Sequence, residues 1–285
     1  MRIETDFDLT NYNSYRIKAK CKKAYFPENE EDIISLYKDV NSFIVLGSGH
    51  NVILSKEYYE DRFMILNGNF ENHLVDEKSY IIQADAGITM LQLSEIALES
   101  GLGGLEIFYD IPSSLGGAVV MNAGASGEEI KDLIIKVRYL DLADMKIKEI
   151  ENKDIGFEYR NSFFQKHKDK VILKAWLQLY VKDKSLIKEK METIKAQRWD
   201  KQPKEYPNAG SVFKRPKGHF VGPMIDELNL KGYTVGGAQV SKKHGGFIVN
   251  FDNATGQDVI RVIDHVKSKV FAKFGVELEV EQRII

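Results

Sequence analysis

The sequence predicts an α+β protein made of two units, and three observations support this. The chain has 285 residues, more than one minimal domain needs. Strand-like and helical segments alternate along its first part, until a charged helical segment near residues 184–200 interrupts the pattern. A strongly periodic helical segment then follows near the end of the chain. We therefore expect one unit at residues 1–184 and a second at residues 185–285.

The elements follow from hydrophobic spacing and from capping residues. Strand-like segments cover residues 22–27, 43–49, 63–66, 80–87, 134–142 and 171–181. Helical segments cover residues 28–40, 90–100 and 184–200. Thr89 is placed to cap the second helix, and Gly101 is placed to end it.

The second unit begins with a loop at residues 201–217 and ends with a periodic helix. Thr255 and Asp258 form the pattern of a capping box at the start of that helix. Its apolar residues recur on one face, at Val259, Ile263, Val266, Val270 and Phe274. This stripe is typical of a core-facing helix rather than of a cofactor site.

Composition excludes several classes of protein. Forty basic and 42 acidic residues give a formal charge of −2, so no positive excess favours nonspecific nucleic-acid binding. Cys21 is the single cysteine, which excludes an internal disulfide and a cysteine-based zinc site. The six histidines show no metal-binding spacing, and we predict no metal. Without a signal peptide or a long apolar run, the chain is expected in the cytoplasm, away from membranes.

Two glycine-rich loops are candidate binding sites for an anion. The first, residues 47–51 (GSGHN), follows a strand directly, although a structural turn has the same pattern. It lacks the third glycine and the following helix of a dinucleotide fingerprint. The second covers residues 101–127, where Pro112 to Gly117 precede an apolar run able to start a helix. Hydroxyls and bare amides at such a start suit a pyrophosphate. We expect the two loops to hold a large nucleotide cofactor.

Seven motifs in order make the sequence similar to one family. They lie at residues 13–16, 47–51, 101–127, 159–164, 209–214, 240–250 and 278–283. With them the chain resembles the bacterial UDP-N-acetylenolpyruvoylglucosamine reductases, in particular their compact second type. The resemblance implies a two-lobed FAD-binding module of the vanillyl-alcohol-oxidase type, with lobes divided near residue 70, followed by a smaller α+β substrate-binding domain. The chain departs from the family pattern at Asp110, Ser113 and Ser126, and at Lys18 and Ala19.

The resemblance also implies a set of cofactor contacts. It predicts non-covalent FAD, with NADPH as co-substrate. The residues predicted to contact FAD are Tyr15, Arg16, Gly47, Ser48, Gly49, His50, Asn51, Gly87, Ile111, Pro112, Ser113, Ser114, Gly116, Gly117, Asn122, Gly124, Gly127 and Arg283.

Three residues match the family's catalytic positions. Taken alone, Ser211 is a turn serine; by resemblance it is the proton donor, with Lys214 as one possible assistant. Arg160 is implied to bind the substrate carboxylate and to stabilise the developing negative charge. Glu281, which shares one face of a predicted final strand with Glu279 and Arg283, is implied to be the catalytic carboxyl group.

The implied reaction converts UDP-N-acetylglucosamine-enolpyruvate to UDP-N-acetylmuramate for peptidoglycan synthesis. Hydride comes from the flavin N5 and the proton from Ser211. Lys201, Lys214 and His244 are candidates for binding this substrate. The expected partners are the sugar nucleotide and NADPH, with no nucleic acid and no obligatory protein partner.

Two alternatives remain open at this point. An FAD-dependent sugar or hydroxy-acid oxidase would use a similar module, and His50 lies where a covalent flavin link could form. A catalytically inactive nucleotide-binding homologue would keep the loops but lose turnover.

Overall fold

The computed structural model describes residues 1–40 and 42–285. Its α-helices are α1 Glu30–Asp39, α2 Met90–Glu99, α3 Leu115–Met121, α4 Asn152–Ile155, α5 Phe163–Lys166, α6 Lys184–Lys201, α7 Val221–Glu227 and α8 Gly256–Phe274. Its strands are β1 Arg2–Asp8, β2 Lys20–Phe26, β3 Ile44–Leu46, β4 Val52–Ile53, β5 Tyr58–Ile65, β6 His73–Asp76, β7 Ile81–Asp85, β8 Leu102–Gly103, β9 Gly124–Ala125, β10 Glu128–Glu129, β11 Ile134–Asp141, β12 Lys146–Glu151, β13 Lys170–Gln178, β14 Tyr180–Val181, β15 Thr234–Val235, β16 Ala238–Val240, β17 Ile248–Asn250 and β18 Arg283–Ile284. The predicted α+β class is confirmed.

The longer helices begin where the sequence supplies caps. Thr89 and Gln92 form a capping box at α2, and Thr255 and Asp258 form another at α8. The predicted stripe of α8 is buried from Val259 to Val270, while Phe274 is half-buried. A side-chain cap satisfies an N–H group that would otherwise lack a partner, so these helix starts are determined locally.

Strand pairing gives three main sheets. The largest is antiparallel throughout, with the order β12-β11-β13-β7-β6. A four-stranded sheet has the order β1-β2-β5-β3, in which β3 runs parallel to β5. A third, antiparallel sheet has the order β15-β16-β17. The predicted strand at residues 171–181 is divided at Leu179, because β14 leaves β13 to pair with β8.

The chain divides into two compact units, each discontinuous in sequence. The first unit comprises Met1–Glu4, Ala24–Ser48 and Arg62–Gln197. Its core lies between the five-stranded sheet and helices α2 and α3, with Leu93, Leu115, Val137 and Ala175 all 0% exposed. Burial of these side chains is the main favourable term for such a layer.

The second unit comprises Thr5–Lys23, Gly49–Asp61 and Arg198–Ile285. Helix α8 packs on the three-stranded sheet through its apolar stripe. The second unit thus includes two segments from the early part of the sequence, Thr5–Lys23 and Gly49–Asp61. A single boundary at residue 184 would assign both segments to the first unit. The division at residue 184 into a cofactor part and a substrate part stays a prediction.

Two further findings concern the described residues. None of their helices is both long enough and apolar enough to cross a membrane. Within the same residues, no three His, Cys, Asp or Glu side chains are grouped as they would be around a metal ion.

Candidate active site

The two predicted glycine loops meet inside the first unit at Gly47 and Ser114. Gly47 follows β3, and a Cβ built on it would lie 2.2 Å from Ser114 Oγ. Ser114 is the N-cap of α3, and its Oγ accepts a hydrogen bond from the Gly117 N–H at 3.3 Å. A side chain at position 47 would therefore collide with the start of α3.

Three backbone donors at this meeting point have no protein acceptor among the described residues. They are the N–H groups of Gly47, Ser48 and Ser114. Ser114 is 1% exposed, and a buried N–H group without an acceptor is rare in folded proteins. The arrangement therefore fits an anionic group that accepts these hydrogen bonds.

Other N–H groups in and near the same loops already donate hydrogen bonds to backbone carbonyls of the protein. The N–H of Gly87 donates to Phe70 O and that of Gly116 donates to Ala86 O, both at 2.9 Å. The Ser113 N–H donates to Ile111 O at 2.8 Å across the exposed Pro112. These residues shape the loop, but their amides are not available to a phosphate.

Asn122 closes helix α3 rather than pointing into open space. It is 0% exposed and adopts a left-handed conformation at the C-cap. Its amide nitrogen donates to Glu129 Oε2 at 3.1 Å and to Glu158 O at 3.0 Å, and its Oδ1 accepts from the Lys131 N–H. Both N–H groups of its side-chain amide are used locally, and its predicted contact with FAD stays a prediction that does not involve these two donors.

Arg160 lies against the hairpin that follows α3. Strands β9 and β10 pair there, and Gly127 lies in the two-residue turn between them. The Arg160 guanidinium donates to Gly124 O at 2.9 Å and to Asn122 O at 3.4 Å. The side chain is half-buried, and its backbone has φ 53°. A non-glycine residue in this conformation needs support from its surroundings, which these bonds supply.

In the second unit, the segments bearing Ser211 and Glu281 lie side by side. Ser211 is exposed and pairs with Phe247 in an isolated antiparallel bridge. The Glu281 N–H donates to Val212 O at 2.8 Å, and Phe213 bridges Val280. The structure thus brings together two of the predicted catalytic residues, while Arg160 belongs to the first unit.

The final strand is shorter than predicted. The sequence predicts a strand that includes Glu279, Glu281 and Arg283. Only Arg283–Ile284 forms a strand, paired in parallel with β4, because residues 279–281 bond to the Ser211 segment instead. Lys214 Nζ lies 2.6 Å from Glu279 Oε1. Lys214 is thus paired with a carboxylate that is 70% exposed, and its assistance to Ser211 stays a prediction.

The remaining residues of the first glycine loop hold the C-terminal segment. The Asn51 side chain donates to Glu281 O at 3.2 Å, and the Arg283 N–H donates to Asn51 O at 2.9 Å. Gly49 O accepts the Ser14 N–H at 3.0 Å. Ser14 Oγ is buried without a hydrogen-bond partner in the described residues. This orphaned hydroxyl beside the loop also fits a polar ligand group.

Tyr15 and Arg16 differ in their surroundings. Tyr15 is 0% exposed, and its hydroxyl donates to Gln282 Oε1 at 2.9 Å. Burial raises the pKa of Tyr15, so the phenol stays neutral. Arg16 is exposed and bonds to Asn11. His50, adjoining this region, is half-buried.

The predicted substrate residues occupy separate positions. Lys201 is exposed and ends α6, so it belongs to a helix rather than to the predicted loop. Burial lowers the pKa of His244, and its Nδ1 accepts the Gly246 N–H at 3.1 Å. A neutral imidazole with Nδ1 as acceptor carries its proton on Nε2, which can then donate.

Sequence reasoning missed two features of the second unit. One is a cavity of about 110 Å³, lined by Glu205, Tyr206, Gln239, Ser241, Lys242, Val249 and Phe251. The other is Gln282, which is 4% exposed. The signal for Gln282 was present, because alternation placed a polar side chain on the face opposite Glu281.

Comparison with known proteins identifies close relatives. The model of an FAD binding domain matches residues 22–151, and that of the C-terminal domain of UDP-N-acetylenolpyruvoylglucosamine reductase matches residues 202–285. The reductase of that name from Francisella tularensis is 42% identical, over 97% of this chain and 98% of its own. The one from Pediococcus pentosaceus is 47% identical, over 97% and 92%. The crystal structure of the Thermus caldophilus reductase superposes with a TM-score of 0.84, at 30% identity, over 100% of this chain and 99% of its own.

Proposed function

The chain belongs to the UDP-N-acetylenolpyruvoylglucosamine reductase family, and from this premise we propose that it reduces the enolpyruvyl ether of UDP-N-acetylglucosamine-enolpyruvate to UDP-N-acetylmuramate. It is an FAD-dependent oxidoreductase with NADPH as the electron donor. The adjacency of the Ser211 and Glu281 segments supports the proposal, because the backbones that carry two of the predicted catalytic residues lie side by side. The relatives that are 42% and 47% identical are both named as reductases, so they support neither the oxidase nor the inactive-homologue alternative.

The residues of the first unit fit FAD. The N–H groups of Gly47, Ser48 and Ser114 would hold its pyrophosphate, since they are the donors there without protein acceptors. The close approach of the Ser114 side chain leaves no room for a side chain at Gly47. Bound FAD supplies the hydride, which is chemistry that no side chain provides.

Reduction of the C=C bond also requires a proton at the carbon that carries the carboxylate. We assign this proton to the Ser211 hydroxyl. An alcohol is a weak acid, so its contribution depends on a fixed position next to the acceptor carbon. The backbone bridges at Ser211 and Phe213 support this assignment, because they fix the segment that carries the hydroxyl.

Arg160 and Glu281 are assigned to the charge that develops on the substrate. The guanidinium of Arg160 can form two parallel hydrogen bonds to a carboxylate and stabilise a negative charge. We propose that the carboxyl group of Glu281 acts at the same reacting part of the substrate. The hydrogen bonds that the Arg160 guanidinium donates to Asn122 O and Gly124 O support its role, because they fix the side chain.

We further propose that residues 1–184 bind FAD and that residues 185–285 bind the sugar nucleotide. Lys201, Lys214 and His244 are the substrate contacts in this proposal. The matches of an FAD binding domain to residues 22–151 and of a reductase C-terminal domain to residues 202–285 support it. The cytoplasmic location and the absence of nucleic-acid and protein partners also remain predictions.

The absorption spectrum of the purified protein tests the function. We expect a yellow protein that NADPH bleaches under anaerobic conditions and that the enolpyruvyl substrate re-oxidises, with one UDP-N-acetylmuramate formed per flavin. Oxygen uptake with a sugar in the absence of NADPH would instead identify an oxidase. A colourless protein that binds no added FAD would contradict the proposal.

A further inference from the structure

Gln282 is a buried polar residue in the segment that carries Glu281. Its neighbours Glu281 and Arg283 are half-buried and exposed, whereas Gln282 is 4% exposed. A buried primary amide destabilises a fold unless its donors and acceptor are bonded. Its partners therefore define what it does.

The amide nitrogen of Gln282 faces three successive carbonyl oxygens of the loop that bears Ser211. It lies 3.0 Å from Ala209 O, 3.3 Å from Gly210 O and 3.4 Å from Ser211 O. An extended chain points successive carbonyls in opposite directions, so this convergence requires a turn. Gly210 supplies the turn with φ +78°, a conformation that favours glycine.

The other end of the amide is held by Tyr15. The carbonyls can only accept, so the nitrogen must face them, and Oε1 must accept the Tyr15 hydroxyl at 2.9 Å. The Asn250 side chain donates to Tyr15 O at 2.8 Å, and the Asn250 N–H donates to Pro207 O at 2.8 Å. Gln282 thus belongs to a buried network that returns to the loop before Ser211.

We propose that Gln282 is a positioning residue for proton transfer. Its amide fixes the backbone of the Ala209–Ser211 turn, and through it the place of the Ser211 hydroxyl relative to Glu281. The inference rests on the proposed function of Ser211. Gln282 touches neither substrate nor cofactor in this scheme; it acts through Ser211.

Gln282→Met tests the proposal, because methionine keeps the length and the apolar packing but loses both hydrogen-bonding ends. We expect flavin reduction by NADPH to change less than twofold, and the substrate-dependent re-oxidation to slow about 10- to 100-fold. The solvent deuterium isotope effect on re-oxidation should rise. In the FAD-free protein, amide hydrogen exchange at residues 209–212 should accelerate.

Gln178→Met is the matched control. Gln178 also donates to three carbonyls, Ser79 O at 2.9 Å, Leu179 O at 3.1 Å and Tyr80 O at 3.4 Å, but it lies in the first unit. We expect both half-reactions of this variant to match the unmodified protein.

A double variant separates positioning from general destabilisation. In a Ser211→Ala background, Gln282→Met should cause no further loss, since its effect passes through the missing hydroxyl. Additive losses, or equal slowing of both half-reactions, would overturn the proposal. If Gln282→Met does not fold, Asn250→Ala, which removes the side-chain donor to Tyr15 O, provides the second test, with a smaller slowing confined to re-oxidation. If the unmodified protein shows no substrate-dependent re-oxidation, the proposed function itself fails, which is a distinct result.

Discussion

At the scale of single residues, position rather than acidity determines what Ser211 can do. It is an exposed serine whose backbone is bridged on one side to Phe247, and the next residue accepts the Glu281 N–H. Lys214, the basic residue nearest to it in sequence, is paired with Glu279. A donor of this kind is effective only if its oxygen is held next to the carbon that takes the proton.

Ser211→Ala is expected to separate the two half-reactions. Flavin reduction by NADPH should stay within twofold, while product formation should fall about 10²- to 10⁴-fold, the usual contribution of a positioned acid. Stopped-flow absorbance of each half-reaction measures both rates. Ser268→Ala, which removes an exposed hydroxyl from α8, is the control and should change neither. Equal loss in both steps would contradict the role of Ser211.

A buried carboxylate gives the first unit a defined response to pH. The Glu106 side chain is fully buried, 2.7 Å from Lys182 Nζ and 2.7 Å from the Gly104 N–H. Burial alone would raise the pKa of Glu106, but these two donors outweigh it and hold the pKa below its ordinary value. A lowered folded pKa means that the carboxylate stabilises the fold above the unfolded pKa, and that this stabilisation is lost as the pH falls through the folded value.

Glu106→Gln should therefore lower the free energy of unfolding by about 2 kcal/mol at pH 7, the scale of a charge-assisted hydrogen bond. The difference from the unmodified protein should shrink below about pH 4, where unfolded glutamate becomes protonated. Urea unfolding at several pH values measures it. Glu60→Gln breaks the exposed Lys22–Glu60 pair and should cost less than about 1 kcal/mol at any pH. A pH-independent difference for Glu106→Gln would contradict the assignment.

At the scale of elements, the start of α3 and the end of β3 form one feature. Each contains backbone N–H groups without a protein acceptor, and the absence of a side chain at Gly47 lets the two elements approach closely. Neither element forms this feature alone, since the donors of Gly47 and Ser48 belong to the turn after β3 and the third belongs to the N-cap of α3.

Gly47→Ala should weaken FAD binding at least tenfold, because the new Cβ would lie 2.2 Å from Ser114 Oγ and must displace the side chain that caps α3. Fluorescence titration of the apoprotein with FAD gives the dissociation constant. Gly222→Ala is the control, since a Cβ there meets nothing within 4 Å. A Gly47→Ala/Ser114→Gly double variant lacks the Cβ and Oγ of residue 114 that the new side chain would contact. It should therefore recover part of the affinity for FAD. If Gly47→Ala binds FAD with unchanged affinity, the N–H groups at Gly47, Ser48 and Ser114 do not hold the pyrophosphate, and this part of the proposal is wrong.

Elements determined by local signals could be predicted from the sequence. Helix α8 is the clearest case, because its capping box and its apolar stripe lie within the helix and its N-cap. Lys201 was misplaced by a single residue, since nothing local marks the end of α6. The Gln282–Tyr15 bond joins residues 267 positions apart, and no spacing pattern encodes such a contact. The loops were predicted, but which of their amides remain available depends on tertiary neighbours such as Phe70 and Ala86.

At the scale of the whole molecule, the C-terminal residues hold segments that are distant in sequence. The Lys214 N–H donates to Glu279 O, and the Glu281 N–H donates to Val212 O. Farther along, Arg283 and Ile285 donate to Asn51 O and Ile53 O. This short stretch therefore connects the Ser211 segment with the residues that follow the first glycine loop, all within the second unit.

A chain shortened to end at Leu278 should lose both turnover and stability. The shortening removes at least five backbone hydrogen bonds, the four above and the one from the Ser55 N–H to Ile285 O. At about 1 kcal/mol each they correspond to a Tm lower by roughly 10–15 °C. Glu281→Gln keeps all of these bonds and should lose turnover while its Tm stays within about 2 °C. Calorimetry and product assays on the two proteins separate the chemical role of the carboxyl group from the structural role of the backbone. A shortened chain with an unchanged Tm would show that these bonds do not hold the second unit together, and an active Glu281→Gln variant would remove Glu281 from the reaction.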